Sequence, residues 1–240
     1  MLVPAFDYNL ECEIPVGLAT IGFFDGKHPG MACATMGGRV LIHQPYIMKA
    51  DETKPLKQQI TMQEQSDMQY LNTNKEITAL HCGKLDPKKP SIDMVFIGSN
   101  TNLLVYDCTN NSDVFDKEVN DGLSSLCICD GSFLPDVGQP LVIIGGNCNI
   151  TGFDVDGEER FWTVSGDNVQ ALELLDFDND QVDELAAGSD DFAIRVFKGE
   201  EIIQDITEKA KVIQIARITS NSFGYFLSNG AYGVYVLKKK

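Results

Sequence analysis

The sequence predicts an all-β fold of the β-propeller class, and three observations support that prediction. One phrase recurs along the 240 residues: an apolar strand that runs into Gly or Ser, a polar turn, and a second strand. The marker Gly or Ser at 98, 145, 188 and 228 recurs every 40 to 47 residues, which is the period of a propeller blade. No segment carries the long 3.6-residue apolar stripe of an amphipathic helix. The copies of the phrase span 30–42, 93–107, 140–154, 183–197 and 223–235.

The chain divides into about five blade-like units in this interpretation. Each unit opens on an apolar run that precedes its copy of the phrase, and turns rich in Asn, Asp and Gly separate the strands. A blade cannot bury both of its faces alone, so successive units must stack. We expect Ile97, Ile144, Ala187 and Leu227, which precede the markers, to lie in the core. The units open near residues 16, 76, 122, 168 and 211.

A polar stretch at about 49–74 interrupts the first unit. It is rich in Gln, Lys and Glu, and its middle lacks clear periodicity. The stretch therefore predicts a long inter-strand loop, which accounts for the wide spacing between the first two copies of the phrase. With that loop included, we expect residues 1–240 to form one propeller domain, partial or complete.

The number of units leaves two architectures open, because propellers close with about four to eight blades. Five blades could close a ring, or the chain could be the first part of a larger, seven-bladed ring. The fifth unit reaches Lys240 in the middle of what should be a blade, and this favours the larger ring.

Composition and charge narrow the classes of partner. A net charge of −16 argues against nucleic acid, whose binding draws most of its affinity from Lys and Arg, and against adsorption to an anionic membrane. No apolar run approaches the roughly 20 residues of a membrane span, and the first residues do not resemble a signal peptide. The seven cysteines are an odd number, and we expect them to be reduced, with Cys33, Cys82, Cys127 and Cys129 buried.

Several segments resemble the amino-terminal propeller of the Bardet–Biedl syndrome 2 family of BBSome subunits. The most specific is Phe161-Trp-Thr-Val-Ser-Gly-Asp-Asn-Val169, and the similarity runs in order along nearly the whole chain. Other matching segments are 21–29, 101–107, 143–148, 191–197 and 223–230.

The resemblance implies a non-enzymatic scaffold in a coat-like complex that carries membrane proteins to and from cilia. The implied partners are the other BBSome subunits, especially those that bear propellers, with membrane-protein cargo reached through the complex. The implied locations are the cytoplasm, the cilium, the ciliary membrane and the basal body. Neither nucleic-acid binding nor direct membrane insertion is expected.

One loop has the spacing of a metal site. The carboxylates of Asp176, Asp178, Asp180 and Glu184 stand at positions 1, 3, 5 and 9, and the carbonyl of Val182 at position 7 would point inward. Calcium prefers such a set of oxygen ligands. The spacing is similar to the calcium loops of integrin-type propeller repeats.

The alternative for this loop is that its acids hydrogen-bond the amides of a strand connection. Two departures from the calcium pattern favour that alternative. Gln181 stands where a Gly normally allows the sharp turn, and Glu184 is longer than the usual Asp. We therefore expect calcium to bind weakly or not at all, and we expect no other cofactor.

The sequence offers no catalytic constellation, and this favours a binding module over an enzyme. His28 and His43 lie near turns, and His81 and Cys82 are adjacent in a strand, so their side chains point to opposite faces. A propeller hydrolase would need acids or histidines that converge at the channel. The other alternative, a calcium-binding adhesion propeller, would predict a secretory signal, several calcium loops and paired cysteines. The single Trp, Trp162, is expected to pack between blades, with a peptide-binding aromatic as the alternative.

Overall fold

The computed structural model describes residues 10, 12–35, 37–44, 68–178 and 180–217, together with the backbone of residues 218, 223–228 and 231–236. These residues contain strands and turns and no helix. Accordingly, nothing in the described chain is a helix long and apolar enough to cross a membrane.

Nineteen strands form five antiparallel sheets within the described residues, and every sheet follows chain order. The first four sheets have four strands each and the fifth has three. Sheet 1 contains β1 (Ala19–Gly22), β2 (Gly30–Ala34), β3 (Arg39–His43) and β4 (Met68–Asn72). Sheet 2 contains β5 (Ile77–Gly83), β6 (Met94–Ser99), β7 (Asn102–Asp107) and β8 (Ser112–Glu118). Sheet 3 contains β9 (Ser125–Cys129), β10 (Leu141–Gly145), β11 (Asn149–Phe153) and β12 (Glu159–Val164). Sheet 4 contains β13 (Val169–Leu175), β14 (Glu184–Ser189), β15 (Ala193–Lys198) and β16 (Glu201–Thr207). Sheet 5 contains β17 (Val212–Ile218), β18 (Phe223–Ser228) and β19 (Ala231–Val236).

The sheets stack face to face in chain order. The first strand of each sheet contacts the first strand of the next, from β1 through β5, β9 and β13 to β17. Separate apolar clusters fill the spaces between sheets 1 and 2, sheets 2 and 3, sheets 3 and 4, and sheets 4 and 5. This arrangement of repeated four-stranded units around an inner row of strands is that of a β-propeller, and it confirms the predicted fold class.

The second strands of sheets 2, 3 and 4 are buried on both faces. All residues of β6, β10 and β14 are buried, which explains why these strands read as nearly continuous apolar runs. The predicted core residues Ile97, Ile144 and Ala187 lie here and are buried, as expected. Leu227 lies on β18, where the side chains fall outside the described residues.

The marker glycines are set by the contact between neighbouring blades. A Cβ built on Gly98 would lie 2.3 Å from a methyl carbon of Leu123, and one on Gly188 would lie 2.4 Å from a methyl carbon of Val212. Both apolar residues come at or before the start of the next sheet's first strand. Gly145 and Val169 repeat the same contact at 2.6 Å. These three markers are therefore Gly because the backbone of one blade touches a side chain of the next.

The polar stretch at 49–74 differs from the expected loop at its end. Residues 68–72 form β4, the outer strand of sheet 1, which pairs with β3 in a register that includes Val40 opposite Leu71. Met68 is buried, but the polar residues Gln69 and Asn72 interrupt the apolar pattern and dilute the strand signal. Residues 49–67 lie outside the described part of the chain. The larger-ring expectation stays a prediction.

Candidate cation site in the β13–β14 loop

The acidic loop connects the first two strands of sheet 4, β13 and β14. Leu175 ends β13 and Leu185 follows the first residue of β14, and both are buried, so the loop is anchored at each end. Glu184 is the first residue of β14 and is only 1% exposed. A charged side chain at this depth requires partners, because an unpaired buried charge is costly.

The loop carboxylates are hydrogen-bonded to the loop's own backbone. Four amides each donate to one of them, as expected if the acids stabilise a strand connection. Gln181 adopts a positive φ of 73°, in the region where Gly is normally favoured. The four bonds are Phe177 N to Glu184 Oε2 (2.8 Å), Asp180 N to Asp178 Oδ1 (3.1 Å), Gln181 N to Asp176 Oδ2 (3.2 Å) and Val182 N to Asp180 Oδ1 (2.8 Å).

A lysine ammonium lies among the same carboxylates. Lys198 Nζ donates to Asp178 Oδ2 at 2.7 Å and to Asp180 Oδ2 at 2.8 Å. It also forms an ion pair with Glu184 Oε1 at 3.1 Å, although that contact lacks hydrogen-bond geometry. The hydrogen bond to Asp178 is the largest of the effects that raise the pKa of Lys198, and the same ammonium lowers the pKa of Asp180. The chain thus supplies a cation of its own to this loop.

The carboxylate oxygens of the loop have part of the arrangement that a bound cation needs. One carboxylate oxygen from each of Asp176, Asp178 and Glu184 lies within 4.8 Å of the others, a spacing at which one ion could be shared. Asp176 Oδ1 and Glu184 Oε1 are buried and accept no hydrogen bond. The backbone amide of Val182 donates a hydrogen bond to Asp180. This set of three therefore suits positive charge, but Lys198 already contacts two of its members, Asp178 and Glu184.

Sheets 2 and 3 have a similar polar link at the position equivalent to Lys198, but the residue at that position is an acid instead of a lysine. The residue after the aromatic near the end of the third strand is Asp107 in sheet 2, Asp154 in sheet 3 and Lys198 in sheet 4. In sheet 2, Lys89 from the β5–β6 connection donates to Asp107 Oδ2 at 2.8 Å. In sheet 3, Asp154 Oδ2 accepts from Gln139 of the β9–β10 connection at 3.2 Å. Sheets 2, 3 and 4 thus each tie the connection after their first strand to the end of their third strand.

The acids of these links remain ionised. Burial raises the pKa of Asp107, but hydrogen bonds from Lys89 and Asn110 outweigh it, and the pKa falls below its ordinary value. The pKa of Asp154 is lowered in the same way, because Arg160 and two backbone amides outweigh burial. Arg160 Nε lies 2.7 Å from Asp154 Oδ2. Sheet 4 reverses the polarity of this link, with the acids in the loop and the cation on the strand.

The structure does not bring the other candidate residues together. His28 Nδ1 lies 2.7 Å from Asp25 Oδ2 in the β1–β2 connection, and the His81 ring contacts the Cys82 carbonyl at 2.8 Å. His43 is buried in β3. Among the described residues, only Asp176, Asp178 and Glu184 form a group with metal-site spacing.

The cysteines selected from the sequence are buried. Cys33, Cys82, Cys127 and Cys129 lie in the cores, as predicted. Burial raises the pKa of Cys33 to about 11 and that of Cys82 to about 12. These two groups are therefore thiols at neutral pH.

The expectation for Trp162 was wrong, because its side chain is 49% exposed. It lies on β12, the outer strand of sheet 3, where Phe161 and Thr163 point inward and their neighbours point outward. Strand alternation decides the direction of each side chain, and it leaves the indole on the outward face. Phe161 packs in the core instead, where its ring meets that of Phe133 edge to face with the ring centroids 5.2 Å apart.

Gly166, in the most specific sequence segment, has a structural role that sequence reasoning missed. A Cβ on Gly166 would lie 2.2 Å from Asp191 Oδ2 and 2.7 Å from Arg195 Nη2. These two side chains form an ion pair at 2.6 Å, so the glycine makes room for a polar contact from the next sheet. Asn168 in the same segment accepts a hydrogen bond from Ser124 at 3.1 Å. The segment therefore joins sheets 3 and 4.

Comparison with known proteins settles the family. The family model for the N-terminal region of ciliary BBSome complex subunit 2 matches residues 20–129, and the model for its middle region matches residues 171–240. The chain belongs to the BBSome complex subunit 2 family. The first match covers β1 to β9, and the second begins within β13, so both fall on the described blades.

Curated members of the BBSome complex subunit 2 family align along almost the whole chain. BBSome complex member BBS2 of Danio rerio is 43% identical over 235 residues, which is 98% of this chain and 32% of the relative. The Homo sapiens protein of the same name is 42% identical over the same coverage. The Caenorhabditis elegans member bbs-2 is 38% identical over 169 residues, or 70% of this chain and 23% of the relative. The chain spans about a third of the length of the first two relatives.

Proposed function

We propose that this chain is a non-enzymatic propeller module of a BBSome, the complex named in its relatives. The observation that supports this most strongly is 43% identity over 235 residues to a protein named as a BBSome complex member. In this role the chain helps to build a coat-like assembly that carries membrane proteins to and from cilia. Its partners are other BBSome subunits, including those with propellers, and it works in the cytoplasm, the cilium, the ciliary membrane and the basal body.

The use of charged residues supports a scaffold role. In the described residues, the buried acids Asp107, Asp154 and Glu184 are occupied by links that hold blade connections in place. Such links fix the positions of surface loops, and rigidly positioned loops are suited to protein recognition. A scaffold of this kind binds through surfaces and needs no reactive group.

For the acidic loop, we propose a structural role that needs no calcium. The ammonium of Lys198 and four backbone amides satisfy most of the carboxylate oxygens there. A divalent ion would have to displace Lys198 from Asp178 and Asp180.

The proposed function can be tested by replacing the matching region of the Danio rerio relative with this chain. The chimera is expressed in ciliated cells that lack that relative, and membrane-protein content of the cilium is measured by quantitative fluorescence. We expect the chimera to restore the wild-type distribution. As a control, a chimera with Leu185→Arg places a charge in the core between sheets 3 and 4 and should fail. A normally folded chimera that gives no rescue would contradict the proposal.

A further inference from the structure

A cavity of about 360 Å³ lies between sheets 1 and 2, away from the acidic loop. Its volume falls in the range of about 300–1,000 Å³ that is typical of ligand sites. Leu71 of β4, Ile97 of β6 and Leu104 of β7 supply its apolar lining. Leu71 and Leu104 are only partly buried against the core that contains Ile97, so part of their apolar surface is available to a ligand.

A bulge in β8 brings two carboxylates to this cavity. Asp113 and Asp116 are three residues apart, and in a regular strand they would point to opposite faces. The register shifts there, since Phe115 pairs with Val105 whereas Asp113 pairs with Tyr106. Bulges redirect side chains in this way. Both carboxylates therefore line the same cavity.

The charge at this cavity is negative. Asn102 Nδ2 donates to Asp116 Oδ1 at 2.8 Å and fixes that carboxylate. Lys75 also lines the cavity, but its ammonium donates to Asn102 Oδ1. Both acids are exposed at their strand, so each can accept a further donor. The lining combines apolar side chains with carboxylates. It therefore complements a ligand that carries an apolar group next to a cation.

The outer strand of sheet 1 lies beside the cavity. The strand β4 is last in sheet 1, and among the described residues it pairs only with β3. An extended peptide can add to such an edge through main-chain hydrogen bonds, while alternate side chains enter adjacent pockets. A peptide fits this combination because it can present an apolar side chain, a cationic side chain and a row of main-chain hydrogen-bonding groups, and a simple amine lacks such a row.

We propose that the cleft between sheets 1 and 2 binds an extended peptide segment of a partner protein. In this binding mode an apolar side chain contacts Leu71, Ile97 and Leu104, and an adjacent Lys or Arg lies beside Asp113 and Asp116. The site is separate from the proposed BBSome role and does not depend on it.

The test uses the full 240-residue chain with labelled Ile and Leu methyl groups and NMR titration. The probe is the blocked heptapeptide Thr-Leu-Thr-Lys-Thr-Leu-Thr, whose Leu and Lys side chains share one face in an extended conformation. We expect saturable shifts at the methyls of Leu71, Ile97 and Leu104. The double variant Asp113→Asn with Asp116→Asn should weaken binding about tenfold, because it removes both carboxylates that face the Lys side chain. Asn retains an acceptor for Asn102.

Two controls separate this site from general attraction to an acidic protein. Asp136→Asn removes an exposed charge from the β9–β10 connection and should leave the affinity unchanged. A peptide with Glu in place of Lys should lose binding. Equal binding of the Lys and Glu peptides, shifts at other methyl groups, or no binding at millimolar peptide would each overturn the proposal.

Discussion

At the scale of single residues, Lys198 determines how the acidic loop is neutralised. A lysine ammonium is a compact charge with three donors, and here it reaches Asp178 and Asp180 directly while forming an ion pair with Glu184. Because this ammonium is part of the chain, its local concentration does not depend on the ion content of the solution. The loop sequence fits a calcium pattern, but the partner on β15 is remote in sequence and changes what the loop needs.

Replacing Lys198 with Gln should therefore make the loop responsive to calcium. Without the ammonium, Asp176, Asp178 and Glu184 repel one another, and an added cation restores the balance. We expect the melting temperature of Lys198→Gln to fall in EDTA and to recover in millimolar CaCl₂, as measured by calorimetry. The wild-type chain and the exposed control Lys88→Gln should show no calcium dependence. Tight, stoichiometric calcium binding by the wild type that is lost in Asp178→Ala would contradict this account.

Gly166 provides a second prediction at the residue scale. The Cβ of Gly166→Ala would overlap the ion pair between Asp191 and Arg195, so one of these side chains must move. We expect a loss of up to about 1 kcal/mol in the free energy of unfolding in urea, because the new methyl group meets only the ends of two flexible, partly exposed side chains. Gly37→Ala is the matched control, because its Cβ would lie 3.8 Å from Thr35 Oγ1 in ordinary contact. Equal stability of the two variants would show that the close approach at Gly166 has no energetic role.

At the scale of elements, the contact between a marker glycine and the next blade explains the repeat. The marker lies on the second strand of one sheet, and the apolar residue that it touches lies at or just before the first strand of the next. A contact of this kind sets how closely two sheets can stack. The same chemistry at Gly98, Gly145 and Gly188 therefore gives successive blades the same spacing.

This contact predicts a measurable coupling between Gly188 and Val212. Gly188→Ala should destabilise the chain by about 1–3 kcal/mol through overpacking, and Val212→Ala should destabilise it through lost burial. The double variant should lose at least about 0.5 kcal/mol less than the sum, because the smaller side chain at 212 accommodates the new methyl group. Urea unfolding of the four proteins measures this cycle. Strict additivity would contradict the proposed contact.

Sequence patterns predicted the elements where local and long-range signals agree. The buried runs of β6, β10 and β14 and the turns after them could be located because apolar content and turn residues coincide. The strand β4 was missed because its polar residues are set by pairing with β3. Trp162 was misplaced because composition does not reveal which face of an outer strand is covered. The role of Lys198 depends on its contact with Asp178, which lies 20 positions earlier in the sequence. The spacing of residues within the loop cannot show such a contact.

At the scale of the whole molecule, ionised acids link stability to pH. The pKa values of Asp107, Asp154 and Asp191 lie below their ordinary value, since in each case hydrogen bonds and cations outweigh burial. A lowered pKa in the folded state contributes stability above the unfolded pKa of about 3.9, and this stability is lost as the pH falls through the folded pKa. We therefore expect these links to fail only in acid.

The variant Asp107→Asn isolates one such contribution. The difference in unfolding free energy between wild type and Asp107→Asn should be largest at pH 7 and should shrink as the pH falls below about 4. Comparing the two proteins cancels most of the effect of the chain's net charge of −16. Urea unfolding between pH 7 and pH 3 provides the measurement. A difference that grows on acidification would contradict the ionised link to Lys89.

The central claim, that this chain is a structural module of a BBSome, is tested most directly by reconstitution. The tagged chain is co-expressed with the other BBSome subunits, purified through the tag and separated by size-exclusion chromatography. The account predicts that the chain elutes with other subunits in a fixed stoichiometry. The variant Leu185→Arg, with a charge placed in the core between sheets 3 and 4, should be lost from that peak. A well-folded chain that elutes alone while the other subunits co-elute with one another would contradict the claim.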